Sequence, residues 1–145
     1  MNGKSKSASR KVFLLRLWFT AQATTGGDTP YDTGDIIRFN EVRANFGGHY
    51  NPATSSFICP VDGVYLLSLN VQGAYSDQIH PDLMRDSTWL AKIWIDDISG
   101  ASNRGSTTIV TECSRGEALW VRAGSTGRIH ATDRTVFTGH LIHRF

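Results

Sequence analysis

Five histidines (His49, His80, His130, His140 and His143), 13 acids and two cysteines are the groups in this 145-residue chain suited to acid–base, metal or thiol chemistry. None stands in a pattern that commits it to catalysis. A zinc site wants closely spaced ligands. His140 and His143 are three apart on one strand, a spacing that sends side chains to opposite faces, so surface or interface packing is the plainer reading. Serine, histidine and aspartate all occur, but no Gly-x-Ser-x-Gly elbow marks a nucleophile. Cys59 and Cys113 have no CxxC neighbour, and two cysteines make no disulfide framework. Asp96-Asp97, or Asp77 with Asp82 and Asp86, could offer oxygens to calcium, although turns favour Asp for their own geometry. Trp89, Trp94 and Trp120 could form an aromatic platform, but such residues more often fill a core or a subunit interface.

The elements that hold these groups follow from composition and punctuation. A hydrophobic fraction of 40% with 10% aromatic residues supports one real core, and a domain of this length buries about two thirds of its unfolded surface. Charge is uneven: of 15 Lys and Arg, five (Lys4, Lys6, Arg10, Lys11, Arg16) lie in residues 1–18, which hold none of the 13 acids, leaving the body at −3. No broad basic face results, so nucleic acid is not an expected partner. Residues 1–11 read as a flexible lead-in and 12–145 as one domain. Val12 to Phe19 is too short to span a membrane, and Arg16 interrupts it as a signal peptide; a strand is the better reading. No membrane insertion and no N-glycosylation are expected, since no Asn-x-Ser/Thr occurs.

Phe39 to Leu69 is the most structured stretch. Gly47-Gly48 and Asn51-Pro52 are turn signals. Phe57-Ile58-Cys59 reads as a short strand ended by Pro60. Asp62-Gly63 predicts a hairpin turn, with Gly63 at positive φ. Val64 to Leu69 is apolar on both faces, as in a central strand. Tyr65 is expected to bury its ring while its hydroxyl finds a partner, and Asn45 to hold a turn by bonding nearby backbone. Residues 24–35, 76–87, 96–105 and 124–134 read as loops, with strands from Ile36, over 88–95, 106–113, 118–122 and 136–142. No amphipathic helix, repeat or collagen-like run occurs. Many short strands between turns indicate a β-sandwich or jelly roll.

Phe39, Asn45, Tyr50, Phe57, Gly63 and Tyr65, separated by five, four, six, five and one residues, resemble the signature of the C1q globular-head domain, within the wider tumour-necrosis-factor-like jelly rolls. Phe57-Ile58-Cys59-Pro60-Val61-Asp62-Gly63-Val64-Tyr65 is similar to that family's most characteristic run. Trp18-Phe19-Thr20-Ala21 resembles its first strand, Gly116-Glu117-Ala118-Leu119-Trp120-Val121 its Gly-Asp-x-Val-Trp-Val strand, and Phe137-Thr138-Gly139-His140-Leu141-Ile142 its closing strand. Leu67 and Leu69 stand where aromatics are usual, Glu117 for Asp and His140 for an aromatic.

The resemblance implies an all-β jelly-roll sandwich of two antiparallel sheets that assembles as a homotrimer. It implies a secreted, non-enzymatic recognition module of innate immunity that binds a glycan, a microbial surface or a protein. The alternative it offers is a cytokine- or hormone-like trimer that binds a receptor. Loops 76–87, 96–105 and 124–134 would carry the ligand, with Asp82, Arg85, Arg104, Arg128 and His130 favouring a polar or anionic partner. Relatives often bind calcium through Asp-rich loops, but residues 129–134 offer only Asp133, beside Arg134 and His130. Calcium is therefore possible but not required, with Asp96 and Asp97 as fallback ligands. Cys59 sits where the family often has a cysteine, and Cys113 where a buried Leu is usual. The family's usual partner position, around Trp89 to Ile93, holds no cysteine, so both thiols are expected reduced and unpaired.

Overall fold

Glycine, proline and Asx residues cut the chain into short strands, and the computed structural model describes residues 15–97 and 99–145. The lead-in at 1–11 and the start of the apolar run lie outside the described residues. The strands are β1 (Trp18–Gln22), β2 (Asp28–Tyr31), β3 (Glu41–Phe46), β4 (Tyr50–Asn51), β5 (Ser56–Ile58), β6 (Gly63–Gln72), β7 (Pro81–Arg85), β8 (Thr88–Lys92), β9 (Arg104–Cys113), β10 (Ala118–Ala123), β11 (Gly127–His130) and β12 (Val136–Arg144). One five-stranded sheet runs β3-β1-β12-β6-β9, the other β4-β5-β10-β7-β8, and β11 pairs with β2 as a separate ribbon. The strand pairings are antiparallel.

Period-two alternation sets the packing. Tyr65, Leu67, Leu69 and Val71 of β6 are buried, while Val64, Leu66 and Ser68 on its other face are only partly covered. Leu119, Val121 and Ala123 of β10 meet them from the second sheet. An aromatic cluster fills one end of the core. Phe19 stacks on Tyr50 and Phe57, with centroids 4.8 and 4.9 Å away, and meets the edge of Phe137 at 4.9 Å. Gly139 makes room for it, because a Cβ there would stand 2.7 Å from Phe19 Cε1 and 2.9 Å from Leu67 Cδ2.

The signature residues place this cluster. Asn45 donates to the Tyr50 carbonyl and accepts from the Tyr50 amide, closing the Gly47-Gly48 turn. The buried Tyr50 hydroxyl donates to the Phe39 carbonyl at 2.6 Å, and burial pushes its pKa up to about 12. The Tyr65 hydroxyl donates to the Val61 carbonyl at 2.7 Å. Gly116, at φ 91°, turns the chain between β9 and β10.

Several expectations are corrected. Asp62-Gly63 closes no hairpin: β5 belongs to the second sheet and β6 to the first, so this link crosses between sheets. Gly63 is not at positive φ; it lacks a side chain because a Cβ would strike the His143 carbonyl oxygen and lie 2.9 Å from Leu141 Cδ1. Ile36 makes an isolated bridge to Arg122 rather than starting a strand. Residues 28–31 and 127–130, read within loops, pair with each other. Residues 81–85, also read as loop, form β7, an interior strand between β10 and β8. The acids there mask the buried pattern of Leu83 and Met84. A bulge between Leu141 and His143 sets His140 opposite Leu66 and His143 opposite Val64. The two histidines therefore share the outer face instead of pointing apart.

The cysteines are also corrected. Cys59 and Cys113 form a disulfide, with Cα atoms 6.4 Å apart, inside the reach a bridge requires. The partner of Cys59 comes from the end of β9 and not from β8, the strand where the family usually holds it. The turn after β9 docks on Cys59: the Cys59 amide donates to the Glu117 carbonyl and the Gly116 amide to the Cys59 carbonyl. This docking brings the end of β9 over the end of β5, so the bond joins the two sheets. Replacing both cysteines by serine is expected to lower stability by about 2–4 kcal/mol. Denaturant titration of the variant checks this, and thiol labelling of the denatured, unreduced protein should find no free thiol.

Candidate recognition surfaces

Three surfaces remain after the core is built. The first is the outer face of the first sheet. Trp18, Phe46 and Val110 are 40%, 52% and 60% exposed, and Trp18 stacks on Phe46 with centroids 4.2 Å apart. By register Leu66 lies between Val110 and His140, which itself neighbours Trp18. At one end of this face Arg104, Asp133, Arg134, Asn70, Ser106 and Val136 line an open cavity of about 430 Å3.

The second surface is the β2–β11 ribbon, where most of its charge is already answered. Arg128 donates to Asp77 at 2.8 Å and stands 3.7 Å from Asp28. Those carboxylates hold its guanidinium pKa above the ordinary value, led by the Asp77 hydrogen bond. His130 Nδ1 lies 3.0 Å from Asp28. Of the residues expected to bind ligand, Arg104, Arg128 and His130 are solvent-accessible, but only Arg128 and His130 come together.

Asp82 and Arg85 are placed differently from the expectation that put them on a loop. Arg85 faces inward and ties the sheets together, donating to Thr111 Oγ1 and to the Glu112 carbonyl of β9. Asp82 is 1% exposed and forms the centre of the third surface, on the outer face of the second sheet. Register aligns Arg122 of β10, Asp82 of β7 and Lys92 of β8 in one row. Asp82 Oδ1 accepts from Lys92 Nζ at 2.8 Å and from Trp89 Nε1 at 3.1 Å; Oδ2 accepts from Arg122 Nη2 at 2.9 Å and Nε at 3.2 Å. The adjacent row is Trp120, Met84 and Trp89, with Met84 1% exposed between its tryptophan neighbours. Burial alone would raise the Asp82 pKa, but the bonds from Lys92, Arg122 and Trp89 outweigh it and hold the carboxyl below its ordinary 3.8.

His80 borders this row. Its ring stacks on Trp94 with centroids 3.8 Å apart. It is buried, and its Nε2 finds no partner among the described residues. Gly124 packs beneath the cluster: a Cβ there would lie 2.6 Å from both Asp82 Oδ2 and the His80 carbonyl, and would strike Lys92 Nζ. Trp89 and Trp94 are 54% and 65% exposed, so neither fills the core, while Trp120 is half-buried. Sequence reasoning missed Lys92, Arg122 and His80 because their relation depends on strand register. Alternation within 81–85, 88–92 and 118–123 was the available signal. Among the described residues no group of three His, Cys, Asp or Glu is placed to hold a metal ion, and no helix is long and apolar enough to cross a membrane. Asp96 and Asp97 are exposed after the Ile79–Ile95 bridge.

Two outcomes follow from these charges. Asp82→Asn leaves Lys92 and Arg122 facing each other without their anion. A loss of about 2–4 kcal/mol is expected in denaturant titration, below that of a fully buried pair because both cations keep contact with water. Burial, then the Lys92 charge, lowers the His80 pKa from its ordinary 6.5, and Asp96 and Asp82 pull it back less. Just below pH 6.5 the unfolded chain therefore binds more protons at this site than the folded one, so stability falls with pH down to the lowered folded pKa. The Tm should drop between about pH 7 and pH 5, and drop less in His80→Phe. Asp82 does not contribute to that window, since its stabilisation is lost only below 3.8.

Comparisons with known proteins agree with this architecture. Human complement C1q tumor necrosis factor-related protein 3 is 25% identical, over 73% of this chain and 44% of its own length. A polypeptide of the mouse complement C1q subcomponent is 26% identical, over 98% of this chain and 54% of its own. The chain thus spans about half the length of the curated relatives it matches. Among solved structures, the globular domain of zebrafish complement 1qA superposes with TM-score 0.74 at 19% identity, covering 89% of this chain and 99% of that one. Eiger TNF from S. frugiperda gives 0.74 at 13%, covering 90% and 94%. These show the two-sheet fold shared by C1q and TNF-like proteins. The C1q domain profile matches residues 18–142, and the chain therefore belongs to the C1q domain family, which is non-enzymatic.

Proposed function

We propose that this chain is a secreted recognition module that works as a homotrimer and binds polar or anionic ligands, in the manner of an innate-immune head. The observation that carries the assembly is the outer face of the first sheet. Trp18, Phe46 and Val110 stand in water along one cross-strand row, with His140 and Leu66 between Trp18 and Val110, and large apolar side chains exposed together on one face mark a surface that another protein covers. A closed ring of identical copies covers it in every protomer. The number three comes from the family. The inter-sheet disulfide supports an oxidising, extracellular setting.

Ligand binding is assigned to charged groups on the β2–β11 ribbon and at one end of the outer face of the first sheet. Arg128 and His130 on the β2–β11 ribbon sit beside Asp28 and Asp77, so their hydrogen-bonding capacity is partly spent and their contribution to an anionic ligand is modest. Arg104 makes no ion pair among the described residues and adds a positive group at the cavity mouth. The cytokine-like alternative is favoured by one observation, the TNF-like superposition, which concerns fold alone.

Light scattering at micromolar concentration should report a trimer for the native chain, and Trp18→Glu with Val110→Glu should give folded monomers by circular dichroism. A stable monomer in the native chain at that concentration sinks the assembly. A glycan and microbial-surface array run beside a receptor-binding screen separates the two ligand readings.

A further inference from the structure

We propose that the outer face of the second sheet is a second binding site, built around Asp82, that takes a pyranose sugar bearing a carboxylate. This site deepens the recognition function above by giving it a ligand class and a face that the apolar patch does not include. It does not depend on the number of protomers.

The buried carboxylate organises the site. Asp82 uses both oxygens to hold Lys92, Arg122 and the Trp89 indole N–H. Two long cationic side chains that would otherwise sample many rotamers are thereby fixed with their tips on one anion, and fixing such groups before binding removes much of the cost of ordering them later. Within the hub one carboxylate serves two cations, which leaves it one positive charge in excess, and the exposed Asp96 carboxylate acts on His80 at its border. Each cation also keeps donors unused. Lys92 Nζ spends one hydrogen bond on Asp82, and Arg122 spends Nε and Nη2 but not Nη1. The side chains of Lys92 and Arg122 remain 29% and 35% exposed, so a solvent-side anion has access to them.

The flanking aromatics decide what kind of anion fits. Trp94 lies flat on His80, which leaves its other face to water at 65% exposure. Trp89, pinned by its bond to Asp82, is 54% exposed on the other side of Lys92 in the chain. An exposed indole face beside fixed donors suits a flat partner that is apolar on one side and polar at its rim. A pyranose has that shape, with C–H bonds on one face and hydroxyls around the edge, and a ring carboxylate answers the surplus charge. The buried His80 Nε2, with no partner of its own among the described residues, is an independent sign of polar capacity at this place that the fold itself does not use.

The test uses methyl β-D-glucuronide against methyl β-D-glucoside, which differ only in the carboxylate, and a hyaluronan hexasaccharide to distinguish a free sugar from a uronate within a chain. Binding is followed by the indole N–H signals of Trp89 and Trp94 in the intact protein. The glucuronide should shift both saturably and bind at least about tenfold more tightly than the glucoside, a difference worth one hydrogen-bonded charge. Stronger shifts with the hexasaccharide would identify a polymer as the source; equal shifts per uronate would identify the free sugar. Trp94→Ala should weaken glucuronide binding about fivefold or more while circular dichroism shows the fold retained, and Lys92→Gln should erase the preference over the glucoside. Equal affinity for the two sugars, unchanged indole signals, or tighter binding of a Glu-Phe dipeptide at the same indoles would overturn the proposal. A native trimer that shows any of those results removes this site and leaves the assembly reading intact.

Discussion

Two sheets have four faces, and packing them together hides only two. Most of the other features of this chain answer that constraint. The inner faces are settled by alternation: Tyr65, Leu67 and Leu69 of β6 meet Leu119 and Val121 of β10, and the Phe19 cluster closes one end. The outer faces are then handled in opposite ways. The first sheet leaves Trp18, Phe46 and Val110 in water. The second covers itself. Met84 points outward yet is 1% exposed between tryptophans, and Asp82 points outward yet is 1% exposed between Arg122 and Lys92. One face keeps large apolar side chains in water, whereas the other covers its own and still carries ordered donors.

How much of this could be read in the sequence depended on how local each feature is. The Asn45–Tyr50 turn and the buried Tyr65 follow from residues within a few positions of one another, whereas β6, expected to be central, lies between β12 and the edge strand β9. The signature spacing carried the fold because it encodes the aromatic cluster and its supporting turns. Features created by distant strands meeting were not legible. The Asp82 hub joins β7, β8 and β10, and nothing near Asp82 announces Arg122, 40 residues away. A run of acids and a proline resembles a surface loop unless one knows that cations stand on both sides.

The disulfide illustrates the same limit with a different cause. Each cysteine on its own sits in an apolar setting, which is equally compatible with a buried thiol and a buried bridge. What decides is the docking of the β9–β10 turn on Cys59, through the Glu117 and Gly116 backbone. A strand 54 residues away is brought within bonding distance by two hydrogen bonds that no side-chain pattern reveals. Gly63 departs from its expected role for a related reason. Its need for a missing side chain comes from β12, which ends 81 residues later at Arg144 and lays the His143 carbonyl against it.

The bridge and the Asp82 hub are best understood as complementary ties. A disulfide mainly restricts the unfolded chain and does little to fix side chains on a surface. It holds the ends of β5 and β9, one from each sheet, so the sandwich cannot open at that edge. A buried ion group contributes little net stability, because desolvating the charges offsets most of their attraction. Its strong property is geometric, since every bond has a direction. Arg85 crosses between the sheets beside the bridge, and Asp82, three residues earlier on the same strand, faces the other way toward solvent. Strand β7 thus carries one charged group that locks the inside and one that organises the outside. The alternation that makes a sandwich possible is also what places a rigid inner tie and an ordered outer surface on a single five-residue strand.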